Sequence, residues 1–268
     1  ALIAQNNIKL AKELWLNADS EIIGLSKDVV KWHKNFKINK DSIKLSISEI
    51  EKIIKNKGLD VSKYKNILNN YIDEKDIRKS NINYGLVTVR LKDLKPLELF
   101  KADMRKGSIN NYIISSCYLP VFKMEKLEDD SYYFDGGIYD NCPANMMLKK
   151  GYDKVYRVEL KGMGFKKKLI DKNKVVTITP SRKLSSTLTV NKKAIHENIQ
   201  IGYYDTLKVL KSYPGERYIF KKCPSWYYNY VLKNVSSKDI LKYKTLLNAD
   251  TNEKLVIKII EYAMQKED

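Results

Sequence analysis

The pattern of apolar and polar residues changes from a helical period to a strand period near residue 84. Within residues 64–71, apolar side chains recur at helical spacing, which predicts an amphipathic helix. Residues 84–90 are instead apolar and β-branched, which is typical of a buried strand. We therefore expect a helical region over about residues 1–80 and a sheet that begins after it.

Strands and helices are predicted to alternate in the middle of the chain. The predicted elements are strands at 84–90 and 96–100, a helix at 108–116, an aromatic strand at 132–134, a helix at 143–150, and strands at 154–160 and 175–178. Such alternation favours an α/β fold in which helices cover a sheet.

Capping patterns and helical periods predict further helices on both sides of this region. Ser46-x-x-Glu49 is a capping box at the start of one helix, and Asp250-x-x-Glu253 is another at the start of the closing helix. A long helix is predicted over residues 192–210. No internal repeat or Gly-, Pro- or Ser-rich linker divides the chain. We expect one domain over 1–268, with a sheet region at 81–180 and a helical region at 181–268.

The charge balance favours anionic partners. The chain has 50 Lys and Arg against 32 Asp and Glu, with a net charge of +18. This balance suits nucleic acid or an acidic membrane surface. The lysines are dispersed, however, and no block of five or six consecutive basic residues occurs. Since no nucleic-acid-binding motif is present either, no nucleic-acid partner is expected.

Cysteine and histidine are too sparse to predict a metal site or a disulfide framework. Cys117, Cys142 and Cys223 form no C-x-x-C pair, which favours a reduced compartment and no metal. The two histidines, His33 and His196, offer few candidates for imidazole catalysis. No apolar run approaches the 18 residues of a transmembrane helix.

The strongest candidate for chemistry is the stretch from Tyr132 to Ala144, in which an aromatic strand leads into Asp135, Gly136 and Gly137. The two glycines allow a sharp turn and a close approach of another backbone. Asp135 is therefore expected at a strand end, where a catalytic acid or base is often found in an α/β sheet. The alternative is a structural turn in which the aspartate only bonds its own backbone.

An aspartate can act as the base for a serine hydroxyl without an intervening histidine. With so few histidines, a direct Ser–Asp pair is favoured over a triad. No Gly-x-Ser-x-Gly motif occurs, however. Gly24-Leu-Ser26-Lys-Asp28 is the nearest imitation, but it ends in Asp and lacks the preceding apolar strand of a nucleophile elbow.

Four ordered segments resemble the bacterial patatin-like phospholipases. Asp135-Gly136-Gly137, followed by Asp140-Asn141-x-Pro143, is similar to the family motif that holds the catalytic base. Residues 114–122, ISSCYLPVF, resemble the family's Ser-Ser-x-x-x-Pro-x-Phe segment. Residues 84–89 match the strand before that segment, and residues 199–206 resemble a late helix. The resemblance covers nearly the whole chain and implies a three-layer α/β/α fold with a mainly parallel sheet.

The chain departs from the family at its beginning. In relatives, a Gly-x-Ser-x-Gly elbow runs into a helix that ends Ala-Leu-Ile-Ala-Gln, and Ala1–Gln5 matches that ending. The resemblance thus implies that the serine, the oxyanion loop and the N-terminal strands are missing from this chain. We expect the nucleophile to come either from a companion N-terminal fragment or from a longer chain of which these residues are a part, and we expect this chain alone to be inactive.

The resemblance implies a lipid acyl hydrolase, a phospholipase A-type esterase, with Asp135 as base and Gly136 and Gly137 supporting it. The substrate would be a phospholipid or other acyl lipid, with no cofactor and no metal. The positive charge would favour binding to an anionic membrane surface. A cytoplasmic or peripheral-membrane location is expected. The alternative is a non-catalytic lipid- or partner-binding member of the same fold.

An aromatic cluster near the C-terminus has two interpretations. Trp226, Tyr227, Tyr228 and Tyr230 lie among lysines and would suit a lipid headgroup boundary. Packing against the last helix is the interpretation that we favour.

Overall fold

The computed structural model describes residues 1–18, 58, 60–120, 122–160, 162, 164–184 and 191–267. The capping box at Ser46, His33 and the Ser26 segment lie outside these residues. The described part is mixed α/β, as expected.

The described helices include the four predicted at residues 64–71, 108–116, 143–150 and 192–210, each within two residues at its ends. The described helices are α1 Ile8–Leu16, α2 Ser62–Tyr71, α3 Glu74–Lys79, α4 Ile109–Ser116, α5 Gly137–Asp140, α6 Ala144–Lys149, α7 Lys192–Lys211, α8 Ser225–Val231, α9 Ser237–Leu246 and α10 Asn252–Glu267. The strands are β1 Gly85–Arg90, β2 Lys95–Phe100, β3 Tyr133–Asp135, β4 Val155–Val158 and β5 Val175–Ile178. Each predicted strand is therefore confirmed, with both of its ends within two residues of the predicted ones.

The main sheet has the order β2-β1-β3, and both of its pairings are antiparallel. The expectation of a mainly parallel sheet is wrong for these strands. The turn between β1 and β2 spans only residues 91–94, and such a short connection joins antiparallel neighbours, whereas parallel ones need a long crossover. The parallel pairing in the described residues is that of β4 with β5.

Strand β1 lies at the centre of this sheet and is buried on both faces. Leu86, Val87, Thr88 and Val89 are consecutive buried residues, which explains the uninterrupted apolar pattern in the sequence. Helices α4 and α5 both contact this strand. β1 pairs with β3 so that Thr88 lies opposite Asp135. Strand β1 therefore also fixes the position of the candidate base.

The chain divides into two compact units. The first consists of residues 1–177 and 185–196, and the second of residues 178–184 and 197–268. The core of the first unit joins β1 and β3 to α4 through residues that include Val89, Phe134 and Ile113.

The second unit has a smaller core of its own, formed by α8 and α10. Tyr228 and Leu232 pack there against Leu255, Val256 and Ile257. Packing of the aromatic cluster against the last helix is thus confirmed for Tyr228, while Trp226 is 67% exposed.

Within the described residues, no helix has both the length and the hydropathy needed to cross a membrane.

Candidate functional site

Asp135 is the last residue of β3, and backbone hydrogen bonds hold it on both sides. On one side, β3 pairs with β1 and places Asp135 opposite Thr88. On the other side, the Asp135 N–H donates to the Tyr118 carbonyl at 2.9 Å, and the Gly136 N–H donates to the Ser116 carbonyl at 3.3 Å. The structure therefore brings together the two sequence segments that contain Ser116 and Asp135.

Thr88 reinforces this junction from inside the sheet. Its side chain is fully buried, and its hydroxyl lies 2.9 Å from the carbonyl of Phe134 and 3.0 Å from that of Ser115. Burying a hydroxyl costs little when it is hydrogen-bonded. Thr88 thus connects β1 to the residue before Asp135 and to the end of α4.

Gly136 is required by a close backbone approach. A Cβ at this position would lie 2.1 Å from the carbonyl oxygen of Val87 and 2.6 Å from its carbonyl carbon. Since that neighbour is backbone of a central strand, it cannot move aside easily. The sequence prediction that the first glycine permits a close approach is confirmed here.

Gly137 positions the carboxylate itself. Its N–H donates to Asp135 Oδ1 at 2.6 Å, and a Cβ on Gly137 would lie 2.9 Å from the same oxygen. Gly137 also begins α5, so the predicted turn continues directly into a helical turn. The second glycine therefore keeps space open beside the Asp135 carboxylate.

The residues after the glycines do not cap the next helix. Helix α6 begins after Pro143 and has no side-chain cap. Asp140 is instead buried, and its Oδ1 accepts from the Cys142 N–H at 3.2 Å. Asp140 and Asn141 thus shape the connection between the two short helices α5 and α6 rather than the first turn of α6.

Burial raises the pKa of Asp135 above the ordinary value for aspartate, and the Gly137 N–H opposes this effect only in part. Burial raises the pKa of a carboxyl because the charged form loses its hydration. A raised pKa makes a carboxylate a better proton acceptor, which suits a general base.

Three further side chains interact electrostatically with this site, and the sequence did not identify them as a group. The pKa of Cys117 is raised to about 11 by burial and by the negative charge of Asp135. The pKa values of Tyr64 and Tyr84 are raised as well, first by burial and then by Cys117. Tyr64 was predicted only as part of a helical stripe, since spacing does not show which ring faces a site.

Cys117 is solvent-accessible although its thiol is closely surrounded by protein. It follows the end of α4 at the edge of the core. A thiol with a pKa near 11 is almost entirely protonated at neutral pH. Cys117 is therefore not poised to act as a nucleophile.

Among the residues that the structure describes, no serine or histidine hydrogen-bonds to the Asp135 carboxylate. Ser115, from the segment that lies beside it, is buried and donates its hydroxyl to the carbonyl of Asn111 at 2.8 Å. His196 is exposed in α7. The described residues also contain no group of three His, Cys, Asp or Glu side chains suited to a metal ion.

Comparisons of the chain with protein-family models, curated proteins and solved structures find no match.

Proposed function

We propose that the chain is part of a lipid acyl hydrolase in which Asp135 is the general base of a Ser–Asp dyad. The observation that carries this proposal is the placement of a partly buried carboxylate with a raised pKa at a strand end, beside two glycines with tight contacts. The resemblance to bacterial patatin-like phospholipases supports the same assignment. Their three-layer fold would need further parallel strands from outside the described residues, in addition to the parallel pair β4 and β5.

In this mechanism, the nucleophilic serine lies outside this chain. Its Oγ attacks the acyl carbonyl carbon of the lipid ester while the Oγ proton passes to the Asp135 carboxylate. The departing alcohol takes that proton as the ester C–O bond breaks, which leaves an acyl-serine. Asp135 then accepts a proton from water, and the water oxygen attacks the acyl carbonyl. The bond between the acyl carbon and the serine Oγ breaks, the fatty acid leaves, and Oγ takes back the proton from Asp135.

The glycines have distinct parts in this proposal. Gly136 sets the distance between β1 and the site, because only a residue without Cβ fits against Val87. Gly137 donates to one oxygen of Asp135, and the other oxygen, which accepts no hydrogen bond from the described residues, would receive the serine proton. No metal or cofactor takes part in either half-reaction.

Ester hydrolysis by the full-length gene product tests the role of Asp135. With a p-nitrophenyl acyl ester, Asp135→Asn should lower kcat by about 100-fold or more, which is the usual contribution of a general base. Asp153→Asn is the matched control, since the Asp153 side chain is 92% exposed. Equal rates for wild type and Asp135→Asn, with both proteins folded, would remove Asp135 from the mechanism.

Labelling with a fluorophosphonate identifies the nucleophile in the same protein. We expect one labelled serine outside residues 1–268, with labelling that is slowed by Asp135→Asn. A labelled serine within these residues would contradict the external position of the nucleophile.

A non-catalytic lipid- or partner-binding protein of the same fold is the second candidate. It is favoured by the lack of a serine or histidine hydrogen bond to Asp135 within the described residues. A wild-type protein that binds acyl lipid, hydrolyses no ester and takes up no fluorophosphonate would support this alternative and exclude the hydrolase.

Adsorption to an anionic bilayer, with a cytoplasmic or peripheral-membrane location, accompanies the hydrolase proposal. The net charge of +18 supports it, since each basic residue that reaches the surface contributes about 1 kcal/mol. Binding to anionic liposomes should weaken as salt is added, because salt screens these charges. Binding that is unchanged by salt would contradict the electrostatic contribution.

A further inference from the structure

The second unit contains an open cleft of about 460 Å³ that is separate from the Asp135 site and independent of the proposed hydrolase. Clefts of this size commonly hold small molecules. Basic side chains at the cleft outnumber acidic ones, with Arg182, Lys183, Lys208 and Arg217 against Glu197 and Asp205. The charge of the lining therefore favours an anion.

A buried carboxylate anchors the segment that carries two of these basic residues. Asp205, on α7, is only 3% exposed, and its Oδ2 accepts from the Ser181 N–H at 2.9 Å. Arg182 and Lys183 follow Ser181 directly and line the cleft. Asp205 thus holds the start of this basic segment against α7.

A second buried carboxylate anchors the opposite segment of the lining. Glu261, on α10, is 4% exposed, and its Oε1 accepts from the consecutive N–H groups of residues 216, 217 and 218 at 2.8, 2.8 and 2.9 Å. A carboxylate is stable in a buried position when several N–H groups donate to it. Both segments at the cleft are therefore fixed before any ligand binds.

The basic side chains differ in how far they are already neutralised. Lys208 lies 3.8 Å from Asp205 Oδ1 and donates to the Glu216 carbonyl at 2.5 Å. Arg182 instead lies over the Tyr218 ring, with its Cζ 4.6 Å from the ring centre, and pairs with no described carboxylate. Lys183 has no described carboxylate partner either. Two positive charges at the cleft thus remain to be balanced.

Within the described part of the chain, no hydrogen bond occupies the guanidinium N–H groups of Arg182. A planar guanidinium binds phosphate or carboxylate through two parallel hydrogen bonds. Aromatic and aliphatic side chains complete the lining, among them Ile201, Tyr204 and Phe220. The cleft therefore combines an anion-binding edge with an apolar wall.

We propose that this cleft binds a phosphate monoester whose organic part is apolar or aromatic. Near neutral pH such a phosphate carries about −1.5 to −2 charges, which matches Arg182 and Lys183, the two basic side chains for which the described residues provide no carboxylate partner. A carboxylate would balance only one of them. The organic part would lie against Tyr204 and Phe220.

Isothermal titration calorimetry of the full chain with 1-naphthyl phosphate tests the proposal. We expect saturable binding at one site, with binding of 1-naphthol and of inorganic phosphate each weaker by about tenfold or more, since each lacks one half of the contacts. Arg182→Gln should weaken binding of the ester by about tenfold or more, and Arg182→Lys by less, because lysine keeps the charge but not the paired donors.

Lys238→Gln is the matched control, because Lys238 is an exposed basic residue of the same unit that does not line the cleft. Its affinity for the ester should equal that of the wild type. Circular dichroism and thermal melting establish that each variant is folded. The comparison of 1-naphthyl phosphate with 1-naphthol uses the wild type alone and so does not depend on the variants.

A second experiment, binding to lipid vesicles, distinguishes a free phosphate ester from a lipid headgroup. Phosphatidylcholine vesicles with phosphatidate are compared with phosphatidylcholine alone. If the protein binds phosphatidate vesicles and Arg182→Gln weakens that binding, the cleft holds a lipid headgroup. If the protein binds only the soluble ester, the cleft holds a free phosphate ester. Either result supports the proposal. It is overturned by no binding in both arms, by equal affinity for naphthol, or by equal effects of Arg182→Gln and Lys238→Gln.

Discussion

The backbone of Gly136 lies directly against the carbonyl group of Val87, so closely that a Cβ on Gly136 would come within 2.1 Å of the oxygen. This contact joins the Asp-Gly-Gly stretch to the central strand β1. The pairing of β3 with β1 also positions Asp135, one residue earlier, opposite Thr88. The geometry of the candidate base therefore depends on the lack of a side chain at the next residue.

Replacement of Gly136 by alanine should destabilise the protein. The added methyl group can be accepted only if β1 or β3 shifts, and overpacking of this kind costs about 1–3 kcal/mol or more. Chemical denaturation should show a lower free energy of unfolding. Gly202→Ala is the control, since Gly202 lies in α7 with open space around its Cβ position and should be neutral or stabilising. Equal effects of the two substitutions would contradict the close contact.

The raised pKa of Asp135 should make the stability difference between wild type and Asp135→Asn depend on pH. In the unfolded chain the carboxyl titrates near its ordinary value of 3.8, and in the folded protein it titrates higher. The folded state therefore binds more protons, and ionisation of Asp135 destabilises it as the pH rises above about 4. Asparagine carries no such charge and is nearly the same size.

We therefore expect the Asn variant to gain stability relative to wild type as the pH is raised from 3.5 to 7, a range that spans the ordinary value of 3.8. Urea denaturation of both proteins across this range measures the effect. If the wild type instead gained stability relative to the Asn variant as the pH is raised, the pKa of Asp135 would be lowered by folding.

Electrostatic coupling between Asp135 and Cys117 should appear in thiol reactivity. The charge of Asp135 contributes to raising the pKa of Cys117 to about 11. Asp135→Asn removes that charge, so it should lower the thiol pKa and increase the alkylation rate at pH 8, since the thiolate is the reactive form. Mass spectrometry after iodoacetamide treatment measures the rate at each cysteine.

Cys223 provides an internal reference for this measurement, because it is a free cysteine of the second unit. Its alkylation rate should be the same in both proteins. An unchanged rate at Cys117 would show that the two groups are not coupled.

Glu261 should stabilise the second unit through the backbone of residues 216–218. Glu261→Ala leaves three N–H groups without their shared acceptor, so we expect a loss of about 3 kcal/mol in the free energy of unfolding. Glu261→Gln keeps an acceptor oxygen and should cost less. Urea denaturation measures both variants.

Glu197→Ala is the matched control for these two variants. Glu197 is an exposed carboxylate of the same unit and should change stability by no more than about 0.5 kcal/mol. A Glu261→Ala variant as stable as the Glu197→Ala variant would contradict the anchoring role of Glu261 and weaken the case for a preformed cleft.

The positions of the helices and strands were largely predictable from sequence because their signals are local. The apolar run at residues 84–90 and the capping pattern near residue 250 each indicate an element without reference to distant parts of the chain. One detail that failed also depends on a local competition. Thr251 rather than Asp250 accepts from the Lys254 N–H at the start of α10.

The sequence by itself thus determined the α/β character, the two glycines after Asp135 and the site of the candidate base. Only the tertiary structure decided the antiparallel order of the main sheet, the approach of Cys117 and Tyr64 to Asp135, and the cleft between the segments held by Asp205 and Glu261. These features depend on contacts between residues far apart in the chain. Such contacts arise from packing and hydrogen bonding in the folded state, and they leave no periodic signal in the sequence.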